Sequence, residues 1–159
     1  DKGASTTAFT DAVISNLGRR SARWQVRAYK PIKLPSIDPA PDFVKAKKRR
    51  VVGIDVFVES ALPAEATGKS MEDLALETPL KLKMISNRGT KVYPPTGAMT
   101  DCVDHWRCRF ILRDPNGDLV DSAVFDLLKR IAAQHRWMHV EKLQEFDGVR
   151  GFTMAQGED

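Results

Sequence analysis

LKLKMISNRGTKVYPPTGAMTDCVDHWRCRFILR, residues 80–113, begins and ends in segments that alternate apolar and polar side chains. That alternation is the period of a strand with one buried face. In the first segment Leu80, Leu82 and Met84 fall on one side, and Lys81 and Lys83 on the other. In the second, Trp106, Cys108, Phe110 and Leu112 share a side, while His105, Arg107, Arg109 and Arg113 take the opposite one. The connection between them holds the turn residues Asn87, Gly89, Pro94, Pro95 and Gly97 and is long for a simple hairpin. The two strands therefore present one greasy face and one basic face.

Upstream, VVGIDVFVE (51–59) is rich in β-branched residues, with Val52, Ile54, Val56 and Val58 on one side of a strand. A helical segment runs from Pro63 to about Glu77, with a core face drawn from Leu62, Ala66, Met71, Leu74 and Ala75. Gly68 and Lys69 are candidates to interrupt it, leaving Ser70 as a fresh N-cap and Asp73 at the capping-box position. Downstream, residues 114–118 read as a turn. VDSAVFDLLKRIAAQH (120–135) then places Val120, Val124, Leu127, Leu128 and Ile131 at helical intervals, with Asp121 or Ser122 as its cap. WMHVEKLQEF (137–146) is a last strand with Met138 and Val140 inward, and residues 151–159 read as an exit segment and frayed polar tail.

The order strand, helix, strand, strand, helix, strand predicts an α+β domain over 51–150. The specific expectation is the ferredoxin-like split βαβ arrangement (βαββαβ), an antiparallel sheet with two helices on one face. The opposite face collects Asp55, Lys81, Lys83, His105, Arg107, Arg109 and His139, with Phe57 and Trp137 as apolar members.

Ahead of this domain, STTAFTDAVISNL (5–17) spaces Phe9, Ala12, Val13 and Leu17 helically, with Ser5 or Thr6 as N-cap and Gly18 closing it. Residues 1–18 read as the last helix of a preceding domain that has been cut away. Residues 19–50 form a Pro-rich basic linker carrying Pro31, Pro35, Pro39 and Pro41, with Trp24, Val26 and Tyr29 able to dock locally. Lys45, Lys47, Lys48, Arg49 and Arg50 end it as a solvated flank before a hydrophobic strand.

The 159 residues are 42% hydrophobic and 29% charged, a balance that fits one compact domain with a real core. A formal charge of +4 permits a polyanionic partner without demanding one. Cys102 and Cys108 make no metal pattern and no disulfide framework, and no apolar run is long enough to span a bilayer, so the expectation is a soluble cytoplasmic protein. The glycines fit neither a dinucleotide fingerprint nor a phosphate loop. Cys102 with His105 lacks an orienting third group, and His135 with His139 straddles a helix end. Neither pair reads as a catalytic or metal site. Nucleic-acid binding through sheet aromatics is disfavoured, because Trp106 and Phe110 fall on the core side and an RNA-recognition aromatic motif is missing.

Two groups of segments carry a resemblance. TAFTDAVISNLGR resembles the end of the catalytic fold of bacterial NADP-dependent isocitrate dehydrogenases. KLKMISNRGTKVYPPTGAMTDCVDHWRCRF, with HRWMHVEKLQEF and GFTMAQGE after it, resembles the extra C-terminal domain of the Thermus-like subgroup. The resemblance implies a parent enzyme that converts isocitrate to 2-oxoglutarate and carbon dioxide, with NADP (or NAD) and Mg²⁺ or Mn²⁺, as a homodimer. In that family the substrate arginines, catalytic Tyr and Lys and metal-binding aspartates belong to the preceding domain, and no motif here matches them. The chain alone is therefore expected to hold no catalytic, cofactor or metal residue.

The functional expectation is an accessory domain that packs on its own catalytic domain or on a second subunit. The candidate interface residues are Lys81, Lys83, Tyr93, Arg107 and Arg109, with the loop 87–101, which also holds Met99. A small-molecule-sensing regulatory module and a nucleic-acid-binding sheet face are the alternatives.

Overall fold

The computed structural model describes residues 3–25, 27–34, 36, 45–97 and 100–158, so Val26, Pro35, Pro39, Pro41 and Met99 lie outside the described residues. The chain divides into two units, with the boundary between residues 42 and 43.

In the first unit, α1 (Thr6–Ser15) is capped by the Ser5 hydroxyl, which accepts the Ala8 amide at 3.2 Å. Gly18 follows at φ +79°, a conformation that favours glycine. Phe9, Val13, Ile14 and Leu17 are all exposed within this unit. From residue 16 to Lys48 the described residues carry no helix or strand, and β1 begins at Arg49, inside the stretch read as linker.

The second unit is α+β. Its elements are β1 (Arg49–Glu59), α2 (Ala64–Ala75), β2 (Leu80–Asn87), β3 (Thr90–Tyr93), β4 (His105–Leu112), α3 (Asp121–Ala132), β5 (Arg136–Phe146) and β6 (Val149–Arg150). They build one six-stranded antiparallel sheet in the order β3-β2-β4-β1-β5-β6. β1 and β2 both pair with β4, and β4 and β5 both pair with β1, so each helix joins two parallel strands with a third between them. The short strands β3 and β6 were not anticipated. β3 exists because Arg88 (φ +50°) and Gly89 (φ +83°) form a tight turn that returns the chain along β2.

Both helices bury into one core with the alternating residues of the strands. Ile54, Val56 and Val58 of β1, Trp106, Cys108 and Phe110 of β4, Met71 and Leu74 of α2, and Leu127 and Ile131 of α3 belong to it. The Trp106 indole N–H donates to the Ser60 carbonyl at 2.8 Å, so the ring is buried without an orphaned donor. Burial holds the Cys108 thiol strongly protonated, and the nearby Asp55 carboxylate adds to that effect.

Local details depart from the sequence reading in four places. α2 is continuous through Gly68, and Ser70 lies inside the helix, its hydroxyl 2.7 Å from His135 Nε2. The inner face of α2 takes Thr67 and Gly68 where Leu62 and Ala66 were expected. The N-cap of α3 is Val120, which offers no side-chain hydrogen bond. Asp121 instead sits in the first turn, where the helix dipole favours an acid, and pairs with Lys142. In β5 an irregularity opposite Phe57/Val58 brings Trp137 level with core-facing Val58, and Met138 is exposed.

Candidate interface on the charged sheet face

The face of the sheet away from the helices carries Asp55 and Phe57 from β1, Met84 and Ser86 from β2, and His105, Arg107 and Arg109 from β4. Asp55 stands opposite Arg109, and Phe57 opposite Arg107. Met84 reaches this face because the register slips between Leu82 and Met84, which moves every later residue of β2 to the other side. Ile85, not Met84, therefore joins the main core.

Arg109 is 1% exposed and makes four hydrogen bonds. Its Nε and Nη2 form a fork on Asp55, at 2.8 Å to Oδ1 and 2.7 Å to Oδ2. Its Nη1 donates to Glu158 Oε2 at 2.7 Å and to the Thr153 carbonyl at 3.0 Å. The Phe152 ring centroid lies 5.0 Å from the guanidinium carbon, a cation–π distance. Glu158 also accepts the Ala155 amide at 2.9 Å, and Lys83 Nζ stands 3.2 Å from its other oxygen. Arg107 Nε lies 2.9 Å from Asp55 Oδ2. Three cations, Lys83, Arg107 and Arg109, thus share two carboxylates.

Burial of Asp55, Arg109 and Glu158 is tolerated because Arg109 bonds to both carboxylates. Burial alone would raise the Glu158 pKa. The Ala155 amide, Arg109 and Lys83 outweigh that and hold it below the usual carboxylate range. Burial would likewise lower Arg109, but Asp55 and Glu158 raise it.

The lid over this network is the chain's own C-terminal segment, contrary to the expectation of a frayed tail. Gln156 brackets the β2–β3 turn: its amide donates to the Gly89 carbonyl and its carbonyl accepts the Lys91 amide, both at 2.9 Å. Ala155 is buried, as are Met84 and Leu143, and none of the three belongs to the main core.

Of the five candidate interface residues, the structure brings Lys83, Arg107 and Arg109 together through Asp55 and Glu158. Arg109 is consumed inside the chain, which corrects its reading as a group open to a partner. Lys83 and Arg107 are partly exposed, with a third and a fifth of their side chains accessible. Lys81 is exposed. Tyr93 lies elsewhere, packed on α2 where a Cβ at Gly68 would come within 2.6 Å of its ring. Its phenol pKa is raised by burial first and then by the Glu72 carboxylate beside it. Among the described residues no group of three or more His, Cys, Asp or Glu is placed to hold a metal ion. His135 is bonded to Ser70, whereas His139 stacks on Phe57 with ring centroids 3.9 Å apart. Trp106 and Phe110 lie on the helix side, so neither is offered to a nucleobase.

The sequence reading missed Glu158 and the tail, and also Asn87. The Asn87 side chain is 1% exposed and ties the Val103 amide and the Val103 and His105 carbonyls, fixing where β4 begins. A signal for the tail was present: Phe152, Met154 and Ala155 are apolar residues in a segment otherwise read as solvated.

Comparison with known proteins agrees with this architecture. The family described as "Bacterial isocitrate dehydrogenase, C-terminal domain" matches residues 49–158. The chain is 58% identical to the isocitrate dehydrogenase [NADP] of Thermus thermophilus, over all of this chain and 32% of that protein. It is 32% identical to the isocitrate dehydrogenase [NADP] of Rickettsia felis, over 99% of this chain and 33% of that one. The crystal structure of the TT0538 protein from Thermus thermophilus superposes with a TM-score of 0.72 at 58% identity, again over the whole of this chain and 32% of that chain. The chain therefore spans about a third of the length of the curated relatives it matches. A match that runs from the first residues of β1 to Glu158 of the tail places this chain in the family of bacterial isocitrate dehydrogenase C-terminal domains.

Proposed function

We propose that the chain serves as the accessory C-terminal module of an NADP-dependent isocitrate dehydrogenase in the bacterial cytoplasm, contributing packing and subunit contact and no chemistry of its own. The observation that carries this reading is the match of the whole chain to about a third of enzymes named for that activity. In this reading the preceding catalytic domain of the same polypeptide, in a homodimer, holds isocitrate, NADP and Mg²⁺ or Mn²⁺. The described residues supply no metal-ligating cluster and no glycine-rich phosphate loop for those groups.

The contact surface is the accessible remainder of the charged face, Lys81, Lys83 and Arg107, together with the edge formed by β3 and Tyr93. Such groups set partner choice and register through complementary charge. The 159-residue chain is expected to show no isocitrate-dependent reduction of NADP. In the full-length enzyme, Lys81→Glu is expected to weaken subunit association, read by sedimentation at falling protein concentration. Turnover by the isolated chain, or association and melting left unchanged by Lys81→Glu, would overturn the reading.

A further inference from the structure

One end of the charged face holds a pocket of about 250 Å³ lined by Phe57, Ser86, Arg88, Gly89, His105 and Arg107. Its lining residues include two arginines, a histidine and a serine, and no acidic residue. Arg107 brings two buried guanidinium nitrogens, Nε and Nη2, that have no hydrogen-bond partner. Its Nε is near Asp55 but without hydrogen-bonding geometry, and its Nη2 has no partner at all. Asp55 is already gripped by the Arg109 fork, so it cannot neutralise Arg107 alone. An unsatisfied buried donor in a native fold calls for a missing acceptor.

We propose that this pocket binds a compact anion carrying phosphate or carboxylate groups, held by Arg107 and Arg88 with the Ser86 hydroxyl as a further donor. The forked guanidinium suits either group, because both present paired oxygens. Arg88 is available: it makes no ion pair among the described residues. Its backbone at φ +50° is fixed by the turn it shares with Gly89, whose carbonyl is in turn anchored by Gln156 of the tail. The wall is thus built before the ligand arrives. Phe57, with His139 stacked on one face and His105 tilted against it at 5.6 Å, closes the pocket with flat apolar surface. The volume is below that of ordinary cofactor pockets, which excludes a dinucleotide and fits a small metabolite or inorganic ion. The larger cavity of about 590 Å³ between the α2–β2 connection and α3 offers a contrast. It sets Glu77 and Asp126 against Lys129 and Arg130 and so favours neither sign of charge.

The test is a titration of the 159-residue chain with inorganic phosphate and, separately, with citrate at constant ionic strength, followed by calorimetry and backbone amide shifts. Saturable binding with shifts confined to residues 57, 86–89 and 105–107 is expected, with a Kd of about 1 mM or tighter. Arg88→Asn, which keeps a residue tolerant of positive φ, is expected to weaken it about tenfold. Ser86→Ala is the second probe and is expected to weaken it severalfold. Lys69→Gln, exposed on α2 and outside the pocket, is expected to leave it unchanged. Phosphate alone, citrate alone or both binding in this pattern supports the site and identifies its source. Absence of saturation up to about 50 mM of either anion, or equal binding by the wild-type chain, Arg88→Asn and Ser86→Ala, would overturn it.

Discussion

The two faces of this sheet are buried by opposite means. On one, aliphatic and aromatic side chains from alternate strand positions pack under α2 and α3, and the free energy comes from area removed from water. On the other, Asp55, Arg109 and Glu158 are just as inaccessible, at 1–3% exposure, but are held by directional bonds that tie the sheet to the C-terminal tail. An apolar interior tolerates changes of shape in proportion to the volume lost. An ionic one tolerates the loss of all its members better than the loss of one. The difference separates what stabilises the domain from what makes the position of its C-terminus unique.

Single-partner removal on the charged face is the sharpest way to break this comparison. Arg109→Met leaves Asp55 and Glu158 as neighbouring buried carboxylates and is expected to cost about 3–5 kcal/mol, read by urea unfolding. Phe110→Ala, its neighbour on the helix face, is expected to cost about as much through a cavity. The faces part company in the combined variant. Replacing Asp55, Arg109 and Glu158 together by Leu, Met and Leu is expected to recover most or all of the Arg109→Met loss. A triple variant less stable than the single one would show that the ion network contributes net stability, and the two faces would then be equivalent.

Acid provides a gentler probe of the same contrast. The Glu158 carboxyl is lowered in the folded chain, so its contribution is fully present above its unfolded pKa, about 4.3, and is lost as pH falls through the folded value. Unfolding free energy is therefore expected to decline below about pH 4.3, and Glu158→Gln should make that acid limb shallower. At neutral pH the same substitution is expected to cost about 1.5–3 kcal/mol, the scale of a hydrogen bond to a charged group. An acid limb as steep in Glu158→Gln as in the wild-type chain would mean that the tail is not held through this carboxylate.

What was legible in the sequence follows the same division. Alternation identified Ile54, Val56 and Val58 of β1, the inward residues of β4, and Val124, Leu127, Leu128 and Ile131 of α3, but not the ends: a bulge puts Val51 in place of Val52 against the core, and Val120 is exposed at the cap of α3. It failed in β2 beyond Lys83 and in β5 at Met138, where a single extra residue reverses the facing of those that follow or leaves one side chain outside the pattern. The basic residues of the far face were visible one by one, but not their cover. Glu158 lies 49 residues from Arg109 and more than a hundred from Asp55, and no local periodicity links them. The interface expectation treated Arg109 as a charge awaiting a neighbour, whereas the chain supplies its own.

Gly68 tests the helix face at its finest grain. A glycine inside α2 lowers helix propensity by about 1 kcal/mol relative to alanine, yet the helix runs through it unbroken. The reason is Tyr93, whose ring carbons occupy the place of a Cβ, three of them at 2.6 Å. Gly68→Ala is therefore expected to destabilise the chain by about 1 kcal/mol, the overpacking cost exceeding the gain in propensity. In a Tyr93→Ala background the obstruction is gone, and the same substitution is expected to stabilise by about 0.5–1 kcal/mol. The change of sign is the informative result, since a glycine retained only for backbone freedom would respond alike in both backgrounds, and its φ is not positive. Equal effects in the two backgrounds would remove the close contact of β3 with α2 as the reason for this glycine.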